Sequence, residues 1–324
     1  MAAIAPATAP KHASRLSRPA VPFILVCVAY AGILVGSDAS RYAWGRLGEL
    51  SFALPMLAAA SALAFSIRFL RWRQLLASSG YPTPVGQGFL AYLAGFAFTA
   101  SPGKAGELVR IRYFSHMGVP HAQVVAAFIV ERILDLLVLL IFASIIAGRA
   151  AGLGIACAFV AIIVTAVAVA ATSRTCQMLP PYLLRRWGLK TAARWARTLA
   201  KGLALSSQFL TIERLGPAFA LGVLGWTVQC LGFAAVLVFL GLQIPWLTLF
   251  AIPPASMLIG AASMMPGGIG STEAATVVLL TLFGAPLDAA VLAAITLRLG
   301  SIWFAMIVGF GAIIILEQSR TAHP

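Results

Sequence analysis

The stretches Val21–Gly36, Ser51–Ile67, Val124–Ala147, Leu153–Thr172, Pro217–Gly241 and Ala289–Leu316 each approach the roughly 20 apolar residues an α-helix needs to cross a bilayer. No water-soluble core absorbs so much apolar surface. The 324 residues are 61% hydrophobic and only 10% charged, with a mean hydropathy of +0.96. Such a chain is expected to be an all-α polytopic membrane protein, because lipid offers its backbone no hydrogen-bond partners and helices satisfy their own. The net charge of +14 does not point to nucleic acid. The basic residues cluster in short segments beside the apolar runs, as cytoplasmic loops require.

Lys11, Arg15 and Arg18 precede the first run in the manner of a secretory signal. The run is long and no clear small-residue cleavage site follows it, so it is expected to be a retained helix. Cys27, Cys157, Cys176 and Cys230 are scattered singly, which fits packing residues better than a metal site or a disulfide framework. No cofactor is expected, and no GxxxxGK[ST] motif supplies a nucleotide site. Gly32 and Gly36 form a GxxxG pair that permits close helix packing without fixing an oligomeric state.

With the N-terminus inside, the second span returns to the cytoplasm and delivers Arg68, Arg71 and Arg73 there. The polar stretch Ser101–Arg112, "SPGKAGELVRIR", then disturbs the alternation. Gly88–Ala100 is too short to cross alone. A re-entrant hairpin near 88–117 restores the charge rule and places the basic segment Ser173–Arg214 in the cytoplasm. A second interrupted pair, near 247–283, is broken by Pro253, Pro254 and "MMPGGIG". The expected organisation is a cytoplasmic tail over 1–19, a first transmembrane half over 20–172, a basic cytoplasmic loop over 173–215, a second half over 216–316 and a cytoplasmic tail over 317–324. That gives about six full spans plus two hairpins. Within the basic loop, "RRWGLKTAARWARTLAK" reads as an ordinary positive-inside loop, with a lipid-facing surface helix as the alternative.

Sliding the chain by 166 residues lays Glu107 on Glu273, Gly118 on Gly284, Pro120 on Pro286 and Arg132 on Arg298. An odd number of crossings per half makes this an inverted-topology repeat. Broken apolar segments at matching places in two such halves point to a transport site at the midplane. Pro102, Gly103 and Gly106, and Pro266, Gly267, Gly268 and Gly270, suit the hairpin turns, and Ser271 or Thr272 is placed to cap the helix after the second.

The span after the first hairpin carries "VERILDLL", with Glu131, Arg132 and Asp135 near mid-depth. A charge there costs on the order of 2.5–3.5 kcal/mol, so it faces the bundle interior and finds partners. Glu107, Glu131, Asp135 and Glu273 balance Arg110, Arg112, Arg132 and Arg298. The cluster reads in two ways. It is an ion-pair network that fastens the halves, or Arg110, Arg132 and Arg298 take a phosphate while the carboxylates hold those arginines, meet a cationic headgroup or carry a coupling proton. His116 and His121 flank the hairpin without metal-ligand spacing.

Pro102-x-x-x-Gly106-Glu107-x-x-Arg110, Glu131-Arg132-x-x-Asp135, and Pro266-Gly267-Gly268-x-Gly270 with Glu273 together resemble the signature of the lysylphosphatidylglycerol synthase transmembrane-region family. This is the flippase-like domain, also known as an uncharacterised membrane protein family. The likeness runs from about Ser51 onward. It implies a protein of a bacterial or archaeal cytoplasmic membrane, and the charge-based count of crossings is what places both termini in the cytoplasm. In two-domain members this region translocates an aminoacylated phospholipid made by a cytosolic catalytic domain. Here the sequence stops at Pro324, so a stand-alone member without the aminoacyltransferase domain is expected. Some stand-alone relatives are thought to move lipid-linked sugars or other polar lipids.

The expected function is a lipid flippase or scramblase, not an enzyme, whose partners are membrane lipids, anionic or lipid-linked sugars among them. One alternative is a non-transporting partner of a lipid-modifying enzyme or glycosyltransferase. The other is an intramembrane lipid-phosphate enzyme, disfavoured because no nucleophile with an adjacent base and no metal set is seen.

Overall fold

A computed structural model describes residues 47–149 and 153–321. The first apolar run, its GxxxG pair and the tail before it lie outside the described residues. From Gly48 onward the chain forms one compact unit, in which the described residues are helical and contain no strand.

The helices are α1 (Leu47–Ser78), α2 (Val85–Ala94), α3 (Arg110–His116), α4 (His121–Ala147), α5 (Leu153–Thr172), α6 (Arg174–Arg186), α7 (Lys190–Ser206), α8 (Ile212–Phe239), α9 (Trp246–Ala262), α10 (Ser271–Leu282), α11 (Leu287–Arg298) and α12 (Phe304–Thr321). A π-turn over Leu299–Trp303 joins α11 to α12. Among the described residues, four helical segments are long and apolar enough to cross a membrane: Ser51–Ser78, Leu153–Thr172, Ile212–Phe239 and Leu287–Ser319. Helix α4, at 27 residues, matches them in length but carries Glu131, Arg132 and Asp135 in its middle.

The breaks between helices follow one pattern. Gly80, Gly118, Gly241 and Gly284 all adopt positive φ (87°, 80°, 82° and 95°), and in each case the next residue's N–H reaches back five positions, as from Tyr81 to the Leu76 carbonyl at 3.0 Å and from Ala285 to the Leu280 carbonyl at 3.0 Å. A left-handed residue there closes the helix and satisfies its last carbonyls, and glycine takes that conformation without a Cβ clash. Proline then opens the following helix in all four places: Pro84 before α2, Pro120 before α4, Pro245 before α9 and Pro286 before α11. The spacings Gly-x-x-x-Pro and Gly-x-Pro occur once each in the first half and again, in the same order, in the second.

Between these breaks lie two pairs of short arms. In the first, α2 continues through a 3₁₀ turn at Gly95–Phe98, and the chain reverses where Gly103 and Lys104 take φ of 58° and 57° before α3. In the second, α9 ends at Ala262 and the chain reverses where Gly267 and Gly268 take φ of 61° and 63° before α10. The two tips touch. A Cβ on Gly267 would come 2.9 Å from the Ala100 Cα.

Two expectations need correction. Pro253 and Pro254 do not break the second hairpin, because they lie within an unbroken α9, where their lost N–H bonds are tolerated. Its only break is the Gly-rich turn. The basic segment after α5 is not an ordinary loop either, since it forms α6 and α7. Helix α7 packs closely on α4, and a Cβ on Gly202 would lie 2.6 Å from that of Val125.

An aromatic cluster joins α1 to the first hairpin. Trp72 lies 5.8 Å from the Tyr92 ring and 5.5 Å from that of Phe114, and Phe65 lies 4.7 Å from that of Phe96. Helix α12 packs on α2 and its 3₁₀ continuation. This packing fixes the first hairpin against α1 and α12 and so positions the charged groups between them.

Candidate functional site

The charges expected on α4 meet the first hairpin and α1 in one buried network. Glu131 is its hub. Its Oε1 accepts from the Tyr92 hydroxyl at 2.6 Å and from Arg71 Nη2 at 3.2 Å, and its Oε2 accepts from Arg110 Nη1 at 3.1 Å. Asp135 Oδ1 accepts from Arg71 Nη2 at 2.8 Å and from the Trp226 indole at 3.1 Å, while Arg132 Nη2 lies 3.0 Å from its other oxygen. Glu107 accepts from the Thr99 hydroxyl at 2.9 Å and pairs with Arg110 at 3.1 Å and Arg132 at 3.8 Å. Glu107, Glu131, Arg71 and Arg110 are wholly buried. This degree of pairing offsets much of the cost of holding these charges away from water.

The second hairpin holds a smaller network. Arg298 Nε lies 2.9 Å from Glu273, and Arg298 Nη2 donates to the Gly267 carbonyl at 3.0 Å. Glu273 accepts the Gly270 backbone N–H at 3.0 Å. Gly270 is therefore the N-cap of α10 and Glu273 closes the turn, in place of the cap expected from Ser271 or Thr272. The Ser271 hydroxyl instead donates to the Gly268 carbonyl at 3.2 Å.

Between the two hairpin tips lies a cavity of about 470 Å³, within the range of small-molecule sites. Its polar wall includes Arg68, Lys104, Arg132, Asp135, Gln229 and Arg298, with Thr99, Ser101, Thr272 and Ser301. Residues of α5 such as Val160 and Val164 and the methionines Met257, Met264 and Met265 supply the apolar wall. The tip glycines Gly103, Gly267 and Gly268 line it as well.

Of the residues singled out in the sequence, Arg132, Asp135, Arg298, Gly103, Gly267 and Gly268 reach the cavity. Arg110 does not. Its Nε donates to the Tyr92 carbonyl at 3.0 Å and its guanidinium lies 4.0 Å over the Tyr92 ring, beneath the tip. Gly95 makes room for it, since a Cβ there would lie 2.8 Å from the Arg110 Cγ. Glu107, Glu131 and Glu273 stand behind the lining residues. Gly106 donates its N–H to the Ser101 hydroxyl at 2.6 Å, which tightens the first tip. Arg112 leaves the cluster altogether and pairs with Glu317 at 3.0 Å, half exposed. His116 and His121 are exposed, as is Cys176, which therefore does no packing.

Two arginines assigned from sequence to the cytoplasm are inside. Arg71 is wholly buried on Glu131 and Asp135. Arg68 is 7% exposed and lies with its guanidinium 4.1 Å over the Trp226 ring. Only Arg73 of the three is exposed. The missed signal is that the apolar pattern resumes after them at Leu75 and Leu76, both buried, so the arginines interrupt the helix face without ending it.

A family model described as the lysylphosphatidylglycerol synthase TM region matches residues 21–309. The chain belongs to that family. A UPF0104 membrane protein of Methanothermobacter thermautotrophicus is 30% identical over 111 residues, which is 34% of this chain and 33% of that protein. The matched stretch thus spans about a third of the relative's length. No solved structure matches the chain. Family membership connects this membrane protein with lipid-related function.

Proposed function

We propose that the chain is a lipid flippase or scramblase that passes the polar headgroup of a phospholipid through the cavity between the hairpin tips. The observation that carries this reading is the cavity's makeup. Four cationic side chains and one carboxylate converge, with a few hydroxyl and amide groups, on a space large enough for a headgroup, and most of the remaining wall is apolar. The tails would stay in the bilayer. Arg132 and Arg298, with Arg68 and Lys104, would contact phosphate, and Arg110, Glu107, Glu131 and Glu273 would hold them in place.

The hairpins are read as re-entrant and the two halves as an inverted-topology repeat, with about six full spans and both termini in the cytoplasm of a bacterial or archaeal cell. Support comes from the repeated Gly-Pro breaks, from the paired tip conformations, and from Glu107 pairing with Arg132 as Glu273 does with Arg298. The reading assigns the chain no bond-making chemistry and no cofactor. A competing reading, a non-transporting partner of a lipid-modifying enzyme, draws on α6 and α7, whose Trp187 and Trp195 are exposed among basic residues.

The test is reconstitution of purified protein in liposomes with labelled phospholipids and lipid-linked sugars, comparing the native chain with Arg132→Gln and Arg298→Gln. Movement by the native chain that falls at least tenfold in both variants is the expected result. A well-folded native protein that moves no lipid would contradict the proposal and favour the partner reading.

A further inference from the structure

The first-half network does not balance. Arg68, Arg71, Lys104, Arg110 and Arg132 face Glu107, Glu131 and Asp135, while Arg298 and Glu273 neutralise each other in the second hairpin. Two positive charges are left over, and they have an address. Among the described residues, neither Arg68 nor Lys104 has a carboxylate within ion-pair distance, and the Arg68 Nε and Nη2 are buried with no hydrogen-bond partner. Both residues line the cavity.

The surroundings orient these donors. Trp226 is pinned by its indole bond to Asp135, and the Arg68 guanidinium lies over that ring with its Nε and Nη2 unpartnered. Arg132 is turned on Asp135 Oδ2 through Nη2, and its buried Nε is also without a partner. Lys104 sits at the tip with a φ of 57°, a left-handed conformation that costs a residue with a Cβ free energy and that Gly103 and Gly268 adopt without that cost. Three segments, α1, the first tip and α4, thus bring spare cationic donors to one wall.

We propose that this wall is a site for a phosphate headgroup carrying two or more negative charges, a phosphomonoester or a diphosphate, formed by Arg68, Lys104 and Arg132. A phosphomonoester carries about −1.5 to −2 near neutral pH and would neutralise the excess. A phosphodiester headgroup supplies a single negative charge and leaves one cation uncompensated. An aminoacylated phospholipid adds an ammonium and worsens the imbalance. With a lipid as the source of the phosphate, the proposal rests on the translocation reading. A free phosphate ion would share the chemistry without it.

The experiment measures binding to the purified full-length chain in detergent at pH 8 by ligand-induced shift of thermal unfolding. The probes are short-chain phosphatidic acid, a short-chain prenyl diphosphate, short-chain phosphatidylglycerol and inorganic pyrophosphate. Phosphatidic acid and the prenyl diphosphate are expected to bind at least about tenfold tighter than phosphatidylglycerol, with Arg68→Gln erasing most of that preference and Arg68→Lys retaining part of it. Lys104→Gln, at the less enclosed tip, repeats the test if Arg68→Gln does not fold. Equal affinity for monoester and diester, or an unchanged preference in a folded Arg68→Gln or Lys104→Gln protein, would overturn the proposal. Tight pyrophosphate binding without lipid binding would support the multiply charged phosphate site while counting against the translocation reading, which the liposome assay judges separately.

Discussion

Glu273 Oε1 lies 2.9 Å from Arg298 Nε, and the residues 166 positions earlier, Glu107 and Arg132, lie 3.8 Å apart. The same acid on the outgoing arm of a hairpin meets the same base in the following helix in both halves. Each pair sits behind or beside a tip whose backbone turns through consecutive positive-φ residues, Gly103 and Lys104 in the first and Gly267 and Gly268 in the second. The charges therefore have an architectural place as well as an electrostatic one.

Glu131 should be the least replaceable of the carboxylates, because Arg71, Arg110 and Tyr92 all donate to it. Glu131→Gln leaves buried guanidinium charge without its counter-ion and is expected to cost ~3–5 kcal/mol. Tyr92→Phe removes one bond to a charged acceptor and should cost about 1.5–3 kcal/mol. Thermal unfolding in detergent ranks the two. A Glu131→Gln protein as stable as the native one would mean the network does not hold the fold.

Arg110 and Arg112 should behave very differently although they are two residues apart. Arg112→Ala breaks a half-exposed pair with Glu317 and is expected to cost no more than about 1 kcal/mol, with lipid movement unchanged. Arg110→Ala uncovers Glu107 and Glu131 and should both destabilise the protein and abolish movement. Parallel unfolding and liposome measurements on the two variants separate them.

The tip glycines should also differ from each other. Gly103→Ala meets only the left-handed backbone penalty, about 1–2 kcal/mol, since no atom lies within 4 Å of the added Cβ. Gly267→Ala adds a methyl 2.9 Å from Ala100 and 3.0 Å from Ile302. It should force the tips apart and lose more stability. Equal unfolding temperatures for the two would show that the tips do not press on each other.

Single cysteines at Gly86 and Gln243, in a cysteine-free background, report on the inverted repeat. Both are exposed beside the prolines that open the two hairpins. A membrane-impermeant thiol reagent is expected to label them from opposite sides. Labelling from the same side would contradict the inversion.

Much of this site was legible in the sequence because charge is so rare there. Glu131, Arg132 and Asp135 interrupt a long apolar run, and Glu107, Glu273 and Arg298 recur at one offset, so their meeting could be anticipated. Arg68 and Arg71 escaped because arginines near the end of an apolar run look like an interfacial anchor. Helix α1 in fact continues ten residues past Arg68 to Ser78, roughly 15 Å. Arg112 was misplaced for the opposite reason, since proximity in sequence hid the helical phase that turns residues two apart to different faces. Helices α6 and α7 were hidden by their charge, which reads as a loop when only the positive-inside rule is applied.

Occlusion of the cavity between the tips tests most directly whether a headgroup passes through it. Ser301 lines the cavity, and Ser319 lies exposed farther along the same helical segment. Each is replaced by cysteine in the cysteine-free chain, reacted with a bulky thiol reagent, and assayed for lipid movement in liposomes. Movement should stop in proportion to labelling at Ser301→Cys and continue at Ser319→Cys. Undiminished movement by fully labelled Ser301→Cys protein would contradict the account.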